Sequence, residues 1–385
     1  MICGINWSIK RKGPPRYETL EGTFRGDACI VSTILYDVNM KLLITTQTVD
    51  LDNPALGFFH GWILEFAKHC EQVTVICLKE GRHELPTNVR VLSLGKEVRR
   101  SRFSYVWRFY HYIYAYRHEY DAVFVHMNPE YAVLGGPFWR QWKKRVALWR
   151  NHYQPSILAD IAAIFSHVMF STSKKSYIVK YRKTVLMPIG IDTKVFKPLA
   201  EISDPHAILF FGRLDASKRG DVFLQALEKL HRDGVDFRAT IAGDPTDPDS
   251  QFATDLRSQA QSLVRAGLVS LRGSVPNREA PKLYQQHAIY CNLSPDGMFD
   301  KTIGEAAACG CVLVVSNDAL SNLTPAPLYV SDGSAKHVAS ALKVALELSD
   351  NDRRALSSDN RSWVVDEHGL SALIPRVLAA LEDML

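Results

Sequence analysis

The sequence predicts an α/β protein made of two doubly wound, Rossmann-like domains that face a central cleft. Three observations predict it. From Met40 onward, short β-branched runs alternate with longer helical stretches, a pattern that gives parallel strands with helices on both faces. The alternation pauses once, at MPIGIDTKVFKP (187–198), where Pro188, Gly190 and Pro198 punctuate a segment without period. It then resumes in the same style, so one doubly wound unit follows another.

In the first unit the strands are LLITT (42–46), VTVICL (73–78), AVFVHM (122–127), RVALW (145–149) and HVMFS (167–171). Apolar residues at helical spacing mark a helix from Leu56 to His69. A long aromatic and basic helix is expected from about Arg102 to Tyr120. In the second unit the strands are AILFFG (207–212), FRATIAG (237–243), LVSLRG (268–273), IYCNLS (289–294) and CVLVVS (311–316), with a helix from about Lys218 to Arg232. A last helix runs from about Leu370 to Leu385, placed to cross back to the first unit. The division expected is an extension at 1–39, a first Rossmann-like domain at 40–195, a second at 196–368 and the final helix at 369–385. Ligands of such sheets bind beyond the carboxyl ends of the strands, here in the cleft between two units.

The 385 residues are ample for more than one core. A hydrophobic fraction of 46% with 23% charged residues is that of an ordinary globular protein. The net charge of +5 is too weak to argue for nucleic acid and suits an anionic ligand or an acidic membrane surface. Seven cysteines, with no C-x-x-C pair, imply a reducing, cytoplasmic compartment and no disulfide framework. No apolar run approaches the roughly eighteen residues of a membrane span. Residues 1–39 look foreign to the rest, with a basic, Pro-rich stretch SIKRKGPPR (8–16). They read as an upstream extension, poorly ordered or not native, from a start codon placed too early. The competing reading is a real but loosely ordered arm.

Two segments carry candidate chemistry. In FFGRLDASKRG (210–220) a strand ends at Gly212, and Arg213 and Lys218 project from the loop before the next helix. An arginine fork and a lysine point charge suit phosphate oxygens and would stabilise a departing pyrophosphate. The bland reading is a solvated loop with ordinary surface cations. In SPDGMFDKTIGEAAACG (294–310) a strand ends at Ser294 and a helix begins near Asp300, which makes an anion site of its first turn. Glu305, one to two turns in, could accept two hydrogen bonds from a ribose diol. Its bland reading is a surface carboxylate, with Asp300 merely an N-cap. The run Ala306-Ala307-Ala308 before Gly310 suggests close packing of that helix on the sheet.

GRLDASK, the loop and helix ending in GEAAACG, and the linker PIGIDTKVF together resemble the retaining glycosyltransferases of family 4, group 1, which have the GT-B fold. The resemblance extends back to Met40 through LLITTQTVDLDNPALGFFHGWILEFAKH. It implies roles residue by residue. Arg213 and Lys218 match the diphosphate-binding pair. Glu305 matches the second glutamate of the Glu, seven residues, Glu motif, which holds the donor ribose. Asp296, Gly297, Met298, Phe299, Asp300, Lys301 and Thr302 match the segment that meets donor sugar and phosphate. Arg272, Ser274 and Val275 match the loop that cups the nucleobase. Gly57 matches the loop of the first domain that approaches the diphosphate, and His152 a histidine near the reacting sugar. One departure stands out: the first motif glutamate falls at residue 297, which is glycine. It is either a subfamily variation with Asp300-Lys301 or a lost sugar contact.

Other features point elsewhere. Asp50-Leu51-Asp52 has the form of a metal-binding triplet, but the cations and helix terminus already supply counter-charge, so neither metal nor cofactor is expected. His126 ends a strand on the same side as His152 and is its rival. Residues 98–120 interleave Arg99, Arg100, Arg102 and Arg108 with aromatics, a pattern that suits an anionic bilayer and a lipid-linked acceptor, or a core helix with a basic outer face. The resemblance thus implies retaining, metal-independent transfer from a nucleoside diphosphate sugar to a glycan or lipid-linked acceptor, in the cytoplasm or peripherally at the inner face of the cell membrane. The rivals are a non-catalytic nucleotide-sugar or glycan-binding protein and a sugar-nucleotide epimerase. No nucleic-acid partner is expected.

Overall fold

The structure is a computed structural model and describes residues 38–199, 204–296 and 300–382. The extension read at 1–39 lies outside the described residues, except that the first strand already begins at Val38. The described residues belong to one compact unit that holds two sheets. The first contains β1 (Val38–Val49), β2 (Cys70–Glu80), β3 (Val89–Ser93), β4 (Ala122–His126), β5 (Arg145–Trp149), β6 (Val168–Ser171) and β7 (Thr184–Leu186), in the order β3-β2-β1-β4-β5-β6-β7. The second contains β8 (Ala207–Phe211), β9 (Arg238–Ala242), β10 (Val269–Arg272), β11 (Ile289–Asn292) and β12 (Val312–Val315), in the order β10-β9-β8-β11-β12. Every pairing is parallel. This is the two-sheet α/β architecture expected.

The strands are apolar on both sides because both faces of each sheet are covered. In β1, Leu42 and Ile44 pack under α1 (Phe58–His69), while Leu43 packs under α2 (Arg102–Ala115), α3 (Pro129–Gln141) and α4 (Ile157–Phe165). Around the second sheet lie α5 (Gly220–Arg232), α6 (Gln251–Arg265), α7 (Ala280–Gln285), α8 (Lys301–Ala308), α9 (Ala335–Leu346) and α10 (Asp350–Glu367). Ala306, Ala307 and Ala308 are fully buried, and a Cβ on Gly304 would come within 3.0 Å of Ile191, so only small residues let α8 lie this close.

The last helix, α11 (Leu370–Glu382), packs on the first half. Leu373, Ile374, Val377, Leu378 and Leu381 share a core with Phe59, Trp62, Ile63 and Phe66. Each such burial contributes about 1.5–3 kcal/mol. The chain therefore crosses between the halves twice, and the crossings run side by side. The Gly190 and Ile191 N–H groups donate to His368 O, the Leu370 N–H donates to Ile191 O, and Trp62 Nε1 donates to Gly190 O.

Two helices differ from expectation. The helix from Arg102 ends at Ala115, short of Tyr120. Tyr120 is buried, donates to Ile113 O and accepts from Trp139 Nε1, so the chain must turn back to seat it. The helix expected from Lys218 begins at Gly220. A 3-10 turn, Ala216–Lys218, comes first, and Arg219 separates the two in the left-handed conformation at φ 59°. Strand order reverses between β1 and β4 and between β8 and β11. Crevices open at the carboxyl ends of strands at such points.

Candidate active site

The second crevice is built from the exits of β8 and β11. Past β8 the chain turns through Gly212, and β9 exits through Gly243 against it. A Cβ on Gly243, whose φ is +123°, would sit 1.9 Å from Gly212 O, so the close crossing requires glycine. A small cavity there is lined by Gly212, Arg213, Lys218, Asn292 and Ser294. The two cations differ in setting. The Arg213 side chain is 60% exposed and lies 3.6 Å from Asp215. Lys218 is buried and donates to Asp300 Oδ2 at 2.5 Å and Ser294 Oγ at 2.9 Å.

Asp300 is the N-cap of α8 and accepts from the Thr302 N–H. It also accepts from Asn292 Nδ2 and Ser294 Oγ. Burial alone would raise this carboxyl, but the Lys218 ammonium and these hydrogen bonds outweigh it and hold it well below the usual range. So the first turn of α8 is not a bare anion site. Its charge is partly met by Asp300, and Lys218 enters as a paired cation. An ammonium has three donors, and Asp300 and Ser294 take two.

Glu305 is not the surface carboxylate of the bland reading. It is 3% exposed, accepts from Tyr284 Oη at 3.1 Å and lies 3.5 Å from Lys301 Nζ. Burial raises its carboxyl despite Lys301. Burial also pulls Lys301 down to about 8, against the opposing pull of Glu305. The Lys301 ammonium rests 3.7 Å above the Phe58 ring of the first half. Thr302 Oγ1 accepts from Tyr290 Oη.

Other candidates are spread along the seam. Asp296 accepts from Lys175 Nζ at 3.1 Å and from the Asp318 N–H, and Lys175 also holds Asp318, so the seam is bridged there. Gly297, Met298 and Phe299 lie outside the described residues. Arg272 ends β10, half exposed, 4.0 Å from Glu279. The Ser274 N–H donates to Asp244. Val275 is 2% exposed, a core side chain, so that loop can offer a base only its backbone there. Gly57 precedes α1 and is pressed against Asn277 of the second half, where a Cβ would come within 3.1 Å.

The two histidines part company. His126 is sealed beneath Phe59, its ring stacked at 3.8 Å with Thr46 at Nδ1, and burial pulls it down to about 3. It is a neutral packing residue. His152 stands past β5 and accepts the Gln154 N–H at Nδ1, which puts the proton on Nε2. Burial, Arg150 and Arg213 all lower its pKa, so it faces charge from both halves. The acidic triplet is engaged: Asp52 pairs with Arg82 and, across the seam, with Arg278, both at 3.0 Å, while Lys79 lies 3.9 Å from Asp50. Sequence reasoning passed over Lys175, Arg278 and Tyr284, which meet their partners only through the fold.

Residues 205–347 match the family model described as Glycosyl transferases group 1. The second half carries a group 1 glycosyl transferase domain. No curated protein matches the chain in sequence. Among solved structures, Anabaena HepE in complex with UDP and glucose is similar at a TM-score of 0.71 and 16% identity, over 89% of this chain and 99% of that one. Sucrose-phosphate synthase from Thermosynechococcus elongatus is similar at 0.69 and 16%, over 89% and 99%. The apo form of WaaB, a lipopolysaccharide outer core galactosyltransferase, is similar at 0.60 and 13%, over 90% and 100%. The fold is GT-B.

Proposed function

We propose that the chain transfers a glycosyl group from a nucleoside diphosphate sugar to an acceptor hydroxyl, with retention and without a metal. The observation that carries this reading is the grouping of Arg213, Lys218 and the α8 N-terminus at one strand reversal inside the matched domain. UDP is the proposed nucleotide, because the HepE structures hold UDP, UDP with glucose, or UDP-glucose.

In the proposed step the bond from the sugar anomeric carbon to the diphosphate breaks and a bond to the acceptor oxygen forms on the same face. The acceptor proton passes to the departing phosphate. Arg213 and the remaining Lys218 donor take up the developing charge. His152 lies beside the reacting sugar with its Nε2 proton. Glu305 holds the ribose by exchanging its Lys301 contact for the diol. Independence from metal is favoured because Asp50 and Asp52 already face Lys79, Arg82 and Arg278. The cytoplasm is the proposed compartment, since Cys70, Cys77, Cys291, Cys309 and Cys311 stand as buried thiols.

The acceptor is a glycan or a lipid-linked sugar reached from a membrane surface. Among the described residues no helix is long and apolar enough to cross a membrane. On α2, however, Phe103 is 82% exposed and Trp107 and Tyr114 are each 60% exposed, with Arg99, Arg100 and Arg102 exposed at its start. Salt-sensitive co-sedimentation with phosphatidylglycerol vesicles, lost in Phe103→Ser/Trp107→Ser, is expected; no binding removes the membrane part alone.

The central test is a thermal-shift screen of UDP- and GDP-sugars, read beside product formation with and without EDTA. A UDP response that Arg213→Gln weakens, with EDTA-insensitive turnover, is expected. Binding without turnover favours a non-catalytic binding protein. Conversion of the donor without acceptor favours an epimerase. A response untouched by Arg213→Gln means the donor site is misplaced.

A further inference from the structure

The first sheet holds a buried charge that the donor site leaves unused. Arg150 follows β5 and is 8% exposed. Its backbone is tied down: the N–H donates to Phe170 O, and its carbonyl accepts from Ser176 Oγ. Its guanidinium is not. Nε is fully buried without a partner, and among the described residues its terminal nitrogens make no hydrogen bond but are not sealed off, so the head is open to a ligand. Arg353, 3% exposed, has the same unpartnered Nε, but its terminal nitrogens donate to Pro205 O and Leu348 O. A buried cation left with no partner is costly unless an anion joins it.

A second feature converges on the same place. The 13-residue helix α3 begins at Pro129, and its N-cap Asn128 makes no side-chain cap. Among the described residues nothing accepts from the Glu130 N–H. An uncapped helix start carries partial positive charge and free donors. His126 and Trp149 are paired in register and the Met127 N–H donates to Trp149 O, so the start of α3 and Arg150 leave adjacent strand ends, with the turn Tyr177–Lys180 following Ser176, which bonds the Arg150 carbonyl. Arg150 in turn acts on His152, as Arg213 does from the other half. Ser176 Oγ donates to the carbonyl oxygens of both Arg150 and His152, so the two residues share the exit of β5.

We propose that Arg150, the Glu130 N–H and His152 form an anion subsite of the first half that takes a phosphate group carried by the acceptor. A planar guanidinium fork beside a helix N-terminus is suited to phosphate oxygens. The word acceptor rests on the transferase reading; the binding of an anion does not. The phosphate could belong to a soluble sugar phosphate or to a prenyl phosphate lipid.

The test is titration of inorganic phosphate into the full chain, by thermal shift and phosphorus NMR, with and without saturating UDP. The phosphate response is expected to persist under UDP. It should weaken about tenfold or more in Arg150→Gln and less in Arg150→Lys. Glu130→Gln, which removes a nearby negative charge, should tighten it by up to about fivefold, a gain that misfolding cannot mimic. No response in the wild type, one that survives Arg150→Gln, or one that Glu130→Gln fails to tighten overturns the subsite. Glucose 6-phosphate and a short prenyl phosphate are compared last. An Arg150-dependent gain over inorganic phosphate with either one names the source, and none with both overturns the acceptor assignment. Failure of UDP to bind, with the Arg150 response intact, faults the donor reading alone.

Discussion

The strand exits of the two sheets handle charge in opposite ways. At the second sheet Lys218 is paired with Asp300 and Lys301 with Glu305. At the first sheet Arg150 is buried among groups that do not pair with it. A paired site is preorganised, and it binds by sharing partners it already has. An unpaired one is held ready at a cost that a ligand removes. Under the transferase proposal, the second sheet has the character of a site for a constant group, the diphosphate. The first has that of a site whose ligand completes it.

The largest test of this contrast breaks the buried pair from one side. Lys218→Met, which strands Asp300, should cost about 3–5 kcal/mol, read from the urea midpoint, and abolish the UDP response. A loss under about 1 kcal/mol would mean that the pair is not buried in solution.

Why that pair escaped the sequence is physical. Lys218 and Asp300 were each legible as loop residues near a helix start, but they lie 82 positions apart and meet only when β8 and β11 become neighbours. The strand RVALW was legible to the residue, because both of its faces are buried and the run is unbroken. β3, β7, α3, α4, α6, α7, α9 and α10 went unread. β7 has only three residues. α3 contains Pro137 and the pair Gly135-Gly136, which read as breakers, yet a Cβ at Gly135 or Gly136 would collide with Trp139 or Phe165. α4 turns Ile157 and Ile164 outward, 78% and 64% exposed, and so lacks a polar face to mark its period. Glu305 was legible as a motif residue, but its burial against Tyr284 was not.

The next effect is one of pH. His126 is held neutral, with its pKa lowered to about 3 against an ordinary 6.5. The unfolded chain therefore takes the proton first, and stability falls as pH drops from 6.5 toward 3. The slope from this residue is at most about 1.4 kcal/mol per pH unit. Urea midpoints between pH 7 and 5 should drop less in His126→Asn than in the wild type; equal slopes would place the titration elsewhere.

Arg150→Met sharpens the comparison further. In phosphate-free buffer it should leave stability unchanged or raise it by about 1 kcal/mol, the reverse of Lys218→Met, because no partner is stranded. A drop of several kcal/mol in the melt would mean that the guanidinium has a protein partner after all. Smallest of all are the bridges across the seam. Lys175→Ala and Asp52→Asn remove pairs whose members are about half exposed. Each should shift the urea midpoint by no more than about 1 kcal/mol, and less in high salt.

The paired crossings at Ile191 and Gly369 set what the halves can do to each other. A single connecting strand would let one half swivel freely, as a bead does on a thread. Two strands laid together act as the spine of a book, so the covers open about one axis and hardly twist. The spine also has redundancy. A protease that cuts between 192 and 199 would leave the pieces joined, since α11 stays folded into the first core. Such a nicked molecule should run as two bands in denaturing gel and as one species on a native column. It would open and shut on the remaining crossing.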